Sequence, residues 1–566
     1  MTSRLGKSAF WISLLIVILQ LSAYGESGSR DRLSSSRATL IDQAFQAGEI
    51  TAGERTLYTL QTVCDPSALP AAFQQVDLPL IKSGTPYIIQ AVKNWDVMDP
   101  EQQAQAAALM TRAMLDSVYI SPENHFRIHY GFNYPDSVPA DDLDSSGIPD
   151  YVERVGLYAD SAYHMYQEVY GYLPPPLDSD SLYDIYLRKL LNVYGQTFPV
   201  LPADSSWDDY YTYIDVDCDM SNILPNDDPE GDQIGALKVT VVHEYFHATQ
   251  CAYDTFEEYW WMECTAVYHE ELLFPEVNDN YNFLPYFFDH PDTSLLIESY
   301  QYHAYGSFVW AMYLAEVYGY NIIKAAFEKA RYYDIIQSLD SALADHGERV
   351  MSVFPEFTVW NYFTNARAGA LSYYTDAGDY PLSILDQATA KCPFMGVTPV
   401  RPPDGMSCNY IVSYPDSIEN GCLKLNFDGD GTAVWGFSYL GFNGDDLLVV
   451  ADCEVDLSGR TRVGIYDYMQ YDSLVFIPAV LSPYQYDHEY VFDMEIIPFG
   501  DADGSDELNL LDILLVIDYL YSGGPPPKYD FYMGDADGSG ALNLLDVLYL
   551  IDYIYDDGPE PVVYRP

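Results

Sequence analysis

Two histidines and a glutamate stand together in the run His243-Glu244-Tyr245-Phe246-His247. On a helix of 3.6 residues per turn, side chains four apart project from one face, so both imidazoles reach a single metal ion. Glu244, one step round, stands beside that ion rather than on it, where a carboxylate takes a proton from a metal-bound water. A catalytic zinc takes three protein ligands and keeps a fourth position open, so a third ligand must come from outside the run. A third histidine six residues after the second, with its accompanying glycine, is excluded because Tyr253 and Gln250 occupy those positions. The stretch YWWMECTAVYHEE offers Glu263, sixteen residues after His247, and Glu270 seven residues further on the same helical face. The packed setting of Trp260 and Trp261 favours Glu263, with Glu270 left open. A donor to the transition state is also needed, and His303, Tyr302 and Tyr305 in SYQYHAYGSF are candidates; with 53 tyrosines in the chain, a structural role competes for each.

A second chemistry lies in acidic loops. Asp501, Asp503, Ser505, Asn509 and Asp512 fall at positions 1, 3, 5, 9 and 12 of a loop whose position 7, Glu507, offers a carbonyl. The pattern returns 34 residues later as Asp535, Asp537, Ser539, Asn543 and Asp546, with Ala541 at position 7. Oxygen ligands at these spacings are what Ca2+ selects. A third loop, Asp142, Asp144, Ser146, Gly147, Asp150 and Glu153 at positions 1, 3, 5, 6, 9 and 12, fits the same pattern. Its competing reading is a helix N-terminus enriched in acids.

HEYFHATQ followed by WWMECTAVYHEE resembles the gluzincin type of zinc endopeptidase, the group that includes thermolysin. The resemblance implies His243, His247 and Glu263 as zinc ligands, Glu244 as general base, and a protein or peptide substrate. The gap to Glu263 is shorter than in thermolysin, which keeps Glu270 in play. The duplicated C-terminal loops, each running into an apolar helix, resemble a type I dockerin, which implies calcium and a cohesin-type partner on a scaffold or surface protein. At positions 10 and 11 the chain carries Leu510-Leu511 and Leu544-Leu545 where the family's recognition pair is commonly polar, so partner specificity does not carry over. Two other readings stand beside a secreted peptidase: a dockerin-bearing polysaccharide-degrading or carbohydrate-binding protein, and a catalytically silent surface protein.

The elements that must position these residues read as a multidomain chain. Residues 1–25 have the charged, apolar, small-residue order of a secretory signal, which predicts an extracellular protein, possible surface association through the docking module, and no membrane span after cleavage. Residues 26–115 read as a helical N-terminal region or a propeptide. Residues 116–370 carry strand-like runs at 125–130, 182–187 and 210–217, the last expected as an edge strand, and then helices at 234–252, 258–272, 303–318, 320–331 and 353–367, the order of an α+β, zincin-like domain. Residues 371–498 hold short alternating runs between turns, the pattern of a β-sandwich of about seven strands. Residues 499–566 form the small helical calcium-binding unit. The 85 acidic against 26 basic residues, a net charge of -59, exclude nucleic acid as a partner. Eight cysteines in an exported chain permit disulfides; Cys251 with Cys264 is one pairing, and Cys218 is an equally available partner.

Overall fold

The computed structural model describes residues 37–562 apart from 75–79, 179–180, 204–205, 298–300, 370–372, 390–393, 415–420, 467, 506 and 530. The expected leader at 1–25 lies outside the described residues. A mixed sheet of six strands sits at the centre, in the order β1 (Ile81–Ser83), β5 (Val193–Pro202), β6 (Tyr210–Asp217), β4 (Tyr183–Arg188), β3 (Phe126–Tyr130), β2 (Ser117–Ile120). β3, β4 and β6 run parallel to one another, β5 is antiparallel to β6 and β2 to β3, and β1 runs parallel to β5.

Side chains alternate across the two faces, as the period of a strand requires. Ile185, Leu187, Ile214 and Val216 enter one core with the helix α3 (Asp232–Gln250), whereas Tyr186, Phe198 and Tyr213 enter another with Leu57, Leu60 and Ile88 of the N-terminal helices. β6 is therefore an inner strand, not the edge expected of YYTYIDVD, and it is buried from Thr212 to Asp217. The strand that covers it, β5, carries Gly195, Pro199 and Pro202, which weaken a strand signal in sequence; the register shifts between Pro199 and Leu201, where the ladder accommodates the prolines.

The helices that carry the candidate residues follow. α1 (Thr85–Lys93) leads away from β1, α2 (Asp150–Tyr163) and α3 pack on the sheet, and α4 (Tyr259–Leu273) crosses α3. The expected helix at 303–318 is two pieces, α5 (Gln301–Gly306) and α6 (Phe308–Tyr318), and a helix at Ile335–Leu343 stands between those foreseen. Gly306 ends the first piece, and a Cβ there would lie 2.6 Å from the Phe283 carbonyl oxygen.

After residue 386 two sheets pack face to face. One has the order β13 (Asp446–Cys453), β12 (Trp435–Asn443), β15 (Ser473–Val480), β10 (Ile411–Ser413), β7 (Gln387–Thr389), with β9 (Ser407–Cys408) also on β15; the other runs β14 (Arg460–Ile465), β11 (Cys422–Gly429), β16 (Tyr490–Ile497), β8 (Phe394–Val397). Along β15, Leu474, Phe476 and Val480 face the partner sheet while Val475, Ile477 and Ala479 join the central core. That double burial explains why SLVFIPAVL is apolar throughout rather than alternating. One core thus runs from Phe126 to Leu481 across the boundary expected at 370. The last unit is a pair of helices, α7 (Leu510–Ser522) and α8 (Leu544–Asp556), around Ile513, Val516, Val547 and Leu550.

Among the described residues no helix is long and apolar enough to cross a membrane. Cys218, Cys251 and Cys264 carry thiols, so neither suggested bridge forms; α4 turns Cys264 away from α3, and its sulfur donates to the Ser307 carbonyl at 3.3 Å.

Candidate metal centre

α3 is buried at every position from Gly235 to Gln250, and α4 at every position from Trp260 to Glu271. Between them His243 and His247 project from one face, with ring centroids 4.6 Å apart. Their Nε2 atoms each lie 3.3 Å from a different oxygen of Glu263. Neither Nε2 and neither Glu263 oxygen has a hydrogen-bond partner, although all four atoms are buried.

The opposite ring nitrogens explain this. His247 Nδ1 lies 2.7 Å from Gln250 Oε1, and the Gln250 amide donates to the Met262 carbonyl and to Thr265 Oγ1, both at 2.9 Å. Gln250 Oε1 is therefore an acceptor, and His247 carries its proton on Nδ1. His243 Nδ1 lies 2.6 Å from Glu270 Oε1, again an acceptor. In the neutral tautomer that these partners select, each imidazole turns an Nε2 lone pair toward Glu263, itself an acceptor when ionised. Three acceptors converging in a dry interior are costly unless a cation joins them. Their spacing suits one: two ligands about 2.0–2.1 Å from a tetrahedral ion stand about 3.3 Å apart. The charges of these groups are tightly linked. Burial drives the Glu263 carboxyl up, but His247 and His243 bring it down to about 2. Burial lowers His243, yet Glu263 and Glu270 on either side lift it to about 10. The donor set of two imidazoles and a carboxylate fits zinc.

Glu244 stands beside this point, with a carboxylate oxygen within 4.8 Å of the imidazole nitrogens. Its Oε2 accepts from Thr85 Oγ1 at 2.7 Å and lies 2.8 Å from Thr197 Oγ1; its Oε1 has no hydrogen-bond partner. Gly195 leaves room for it, since a Cβ there would fall 2.7 Å from Glu244 Cγ. Glu270, the second carboxylate left open by sequence, faces the back of His243 and pairs with Lys82, 2.7 Å away, which also binds Asp279. The two carboxylates are thus on different sides of one imidazole.

Of the expected donors, Tyr305 is at the site, its ring 6.5 Å from that of His243 and its hydroxyl accepting from Ser83 N at 3.2 Å. Tyr302 donates to the Leu80 carbonyl. His303 is not brought to the imidazoles: it packs at 5.2 Å from the Phe287 ring, both its nitrogens lack hydrogen bonds, and burial pushes it down to about 3. Consecutive helical positions point about 100° apart, so α5 cannot direct 303 and 305 to one place. Sequence reasoning missed Thr85, Thr197 and Lys82, because each reaches the site from a distant element, and it missed the role of Gln250, which stands three residues after His247 on the same helix.

The acidic loops share one geometry. Ser505 N and Ser539 N each donate to the carboxylates at positions 1 and 3, over 2.9–3.0 Å. Asp503 N and Asp537 N donate to Asp512 and Asp546. Asp501, Asp503 and Asp512, and likewise Asp535, Asp537 and Asp546, gather their oxygens within 4.8 Å. Asn509 and Asn543 are used differently: each caps its helix, accepting from Leu511 N or Leu545 N. Burial and the charges of Asp537 and Asp535 push Asp546 up to about 6, the mark of crowded negative charge. At the third loop Ser146 N donates to Asp142 and Asp144, and Asp142, Asp144 and Asp150 gather, with Glu153 outside the group.

No protein-family model matches this chain, and none of the curated proteins matches it either.

Proposed function

We propose that the chain is a secreted zinc-dependent endopeptidase carrying a calcium-dependent docking module at its C-terminus. The observation that carries the peptidase reading is the convergence of His243 Nε2, His247 Nε2 and Glu263, all acceptors, at 3.3 Å in a buried site. Zinc held there would polarise the scissile carbonyl and lower the pKa of a bound water toward about 7. Glu244, through its unpartnered Oε1, takes the proton of the attacking water and passes it to the leaving amine, while Thr85 and Thr197 hold its other oxygen. Tyr305 offers its hydroxyl to the oxygen that becomes negative. The paired loops would take Ca2+ and order α7 and α8 for a cohesin-type module on a scaffold or surface protein.

Metal analysis and casein hydrolysis test this together. One zinc per chain with calcium in addition is expected, and Glu244→Ala should keep the zinc while losing about 100-fold or more in rate. A chain that binds no zinc, or a Glu244→Ala variant as active as the parent, would overturn the reading.

A further inference from the structure

The two candidate imidazole ligands are held by different means. His247 takes its partner from its own helix: Gln250 stands three residues on, and its amide is tied to Met262 and Thr265. His243 is held from further away. Its Nδ1 meets Glu270 Oε1 at 2.6 Å, and the other Glu270 oxygen lies 2.7 Å from the ammonium of Lys82, the middle residue of β1. The same ammonium pairs with Asp279 and stands 5.4 Å over the Phe283 ring. The side chains of Lys82, Glu270 and Asp279 are at most 2% exposed. His243, Glu270, Lys82 and Asp279 thus form one buried chain that begins on a candidate ligand and passes through the N-terminal region.

A carboxylate orients an imidazole only while it is itself fixed and ionised. Glu270 reaches His243 across several rotatable bonds, and a buried carboxylate without a counter-charge is costly. Among the described residues Lys82 is the one lysine or arginine paired with it. Lys82 therefore supplies both needs: its charge favours the ionised carboxylate, and its contact pins the oxygen that His243 does not use. The long lysine stem is fixed in turn by Asp279 and the face of Phe283. Its main chain is fixed as well, because Ile81 and Ser83 on either side are in register with Val193 and Gly195 of β5.

We infer that Lys82 is a positioning residue of the metal centre, acting through Glu270 to hold His243 with its proton on Nδ1 and its Nε2 turned to the ion. This rests on the zinc reading of the site. Lys82 touches neither the ion nor a substrate; what it fixes is the angle and tautomer of one ligand. A lysine that only balanced buried charge would stabilise the fold and leave metal binding alone.

The test uses the full chain and reads zinc affinity by competition with a zinc-sensitive chelator, the visible absorption of the cobalt(II)-loaded protein, the melting temperature and casein hydrolysis. Lys82→Met should weaken zinc binding about 10-fold or more, the scale on which loss of such outer partners acts, and should shift the cobalt bands. Combined with Glu270→Gln it should add nothing to the loss that Glu270→Gln produces alone, because residues acting along one path are not additive. Thr85→Val, which disturbs the Glu244 side instead, should leave both metal readouts at the parent's values. Where Lys82→Met alone fails to fold, Lys82→Met with Asp279→Asn removes one charge of each sign and is read in its place, against Asp279→Asn. A lowered melting temperature with unchanged zinc affinity and cobalt spectrum would reduce Lys82 to charge balance and overturn the inference. Losses from Lys82→Met and Glu270→Gln that simply add would overturn it too. Zinc binding that responds to Lys82 as expected, in a chain that leaves casein intact, would sustain the inference and refute the peptidase reading; a chain that binds neither zinc nor cobalt would refute both.

Discussion

His247 can offer Nε2 to a metal because Gln250 holds the proton on its other ring nitrogen, and His243 does the same through Glu270. Such partners fix the tautomer and orientation of an imidazole. Their loss should therefore differ in kind from loss of Glu263. Glu263→Gln is expected to abolish stoichiometric zinc binding, whereas Glu270→Gln and Gln250→Leu should retain it with affinity weakened about 10–100-fold, as competition with a zinc-sensitive chelator would measure. Equal losses in all three variants would remove the distinction. Away from the centre, Glu257 is pushed up to about 8, chiefly by burial, and its Oε2 has no hydrogen bond. Its folded pKa lies above the ordinary 4.5, so the folded state holds a proton that the unfolded state releases. The contribution is fully present below pH 4.5 and fades as pH rises toward 8, by several kcal/mol at most at about 1.4 kcal/mol per unit. Glu257→Gln should raise the melting temperature at pH 8 and leave it nearly unchanged at pH 4.5; a rise of the same size at both would refute the buried-carboxyl account.

At the scale of elements, β5 and α3 set the position of Glu244, the proposed base. The backbone of β5 approaches α3 at Gly195, where a Cβ would meet both Glu244 Cγ and Thr240 Cγ2 at 2.7 Å. Gly195→Ala should thus displace Glu244 and cut casein hydrolysis while leaving zinc content at one per chain, because the imidazoles stand on other faces of the helix. Neither β5 nor β1 was legible in the sequence: β5 is interrupted by glycine and prolines, and β1 is three residues long. α3 and α4 were legible nearly to the residue, since both are long and apolar on most faces. In the C-terminal unit the helices begin at the asparagine caps and the acidic cluster crowds beneath them. Asp501→Ala combined with Asp535→Ala should abolish the calcium-dependent protection of residues 499–562 from proteolysis, and an unchanged cleavage pattern with chelator would contradict calcium-dependent ordering.

For the whole molecule, the central core continues from the α/β layers into the sheet carrying β15. Tyr410 donates to the Thr358 carbonyl at 2.7 Å and Ser383 to the Asn361 carbonyl at 2.6 Å, tying the two regions through buried bonds. Contact with the final helix pair is smaller, around Phe499, Met533 and Ile497. A chain ended at 498 should melt within a few degrees of the full protein, while one ended at 370 should aggregate, because it would expose the face that Val475, Ile477 and Ala479 cover. Soluble, cooperatively melting protein from the 370 truncation would show that the two regions fold apart.

What the sequence by itself determined is whatever lies within one turn of helix or one short loop. The pairing of His243 with His247, the place of Glu244 beside them, and the repeated acidic loops follow from backbone repeats that every helix and turn obeys. Tertiary structure decided the rest. Whether Glu263 or Glu270 faces the two Nε2 atoms depends on how α4 crosses α3, and a crossing angle is set by packing over many residues. That Tyr305 and not His303 reaches the imidazoles depends on the rotation of α5. The contacts of Thr85 and Lys82, some 160 and 190 residues from their partners, exist because β1 joins the sheet beside β5, and no local pattern encodes a pairing over that separation.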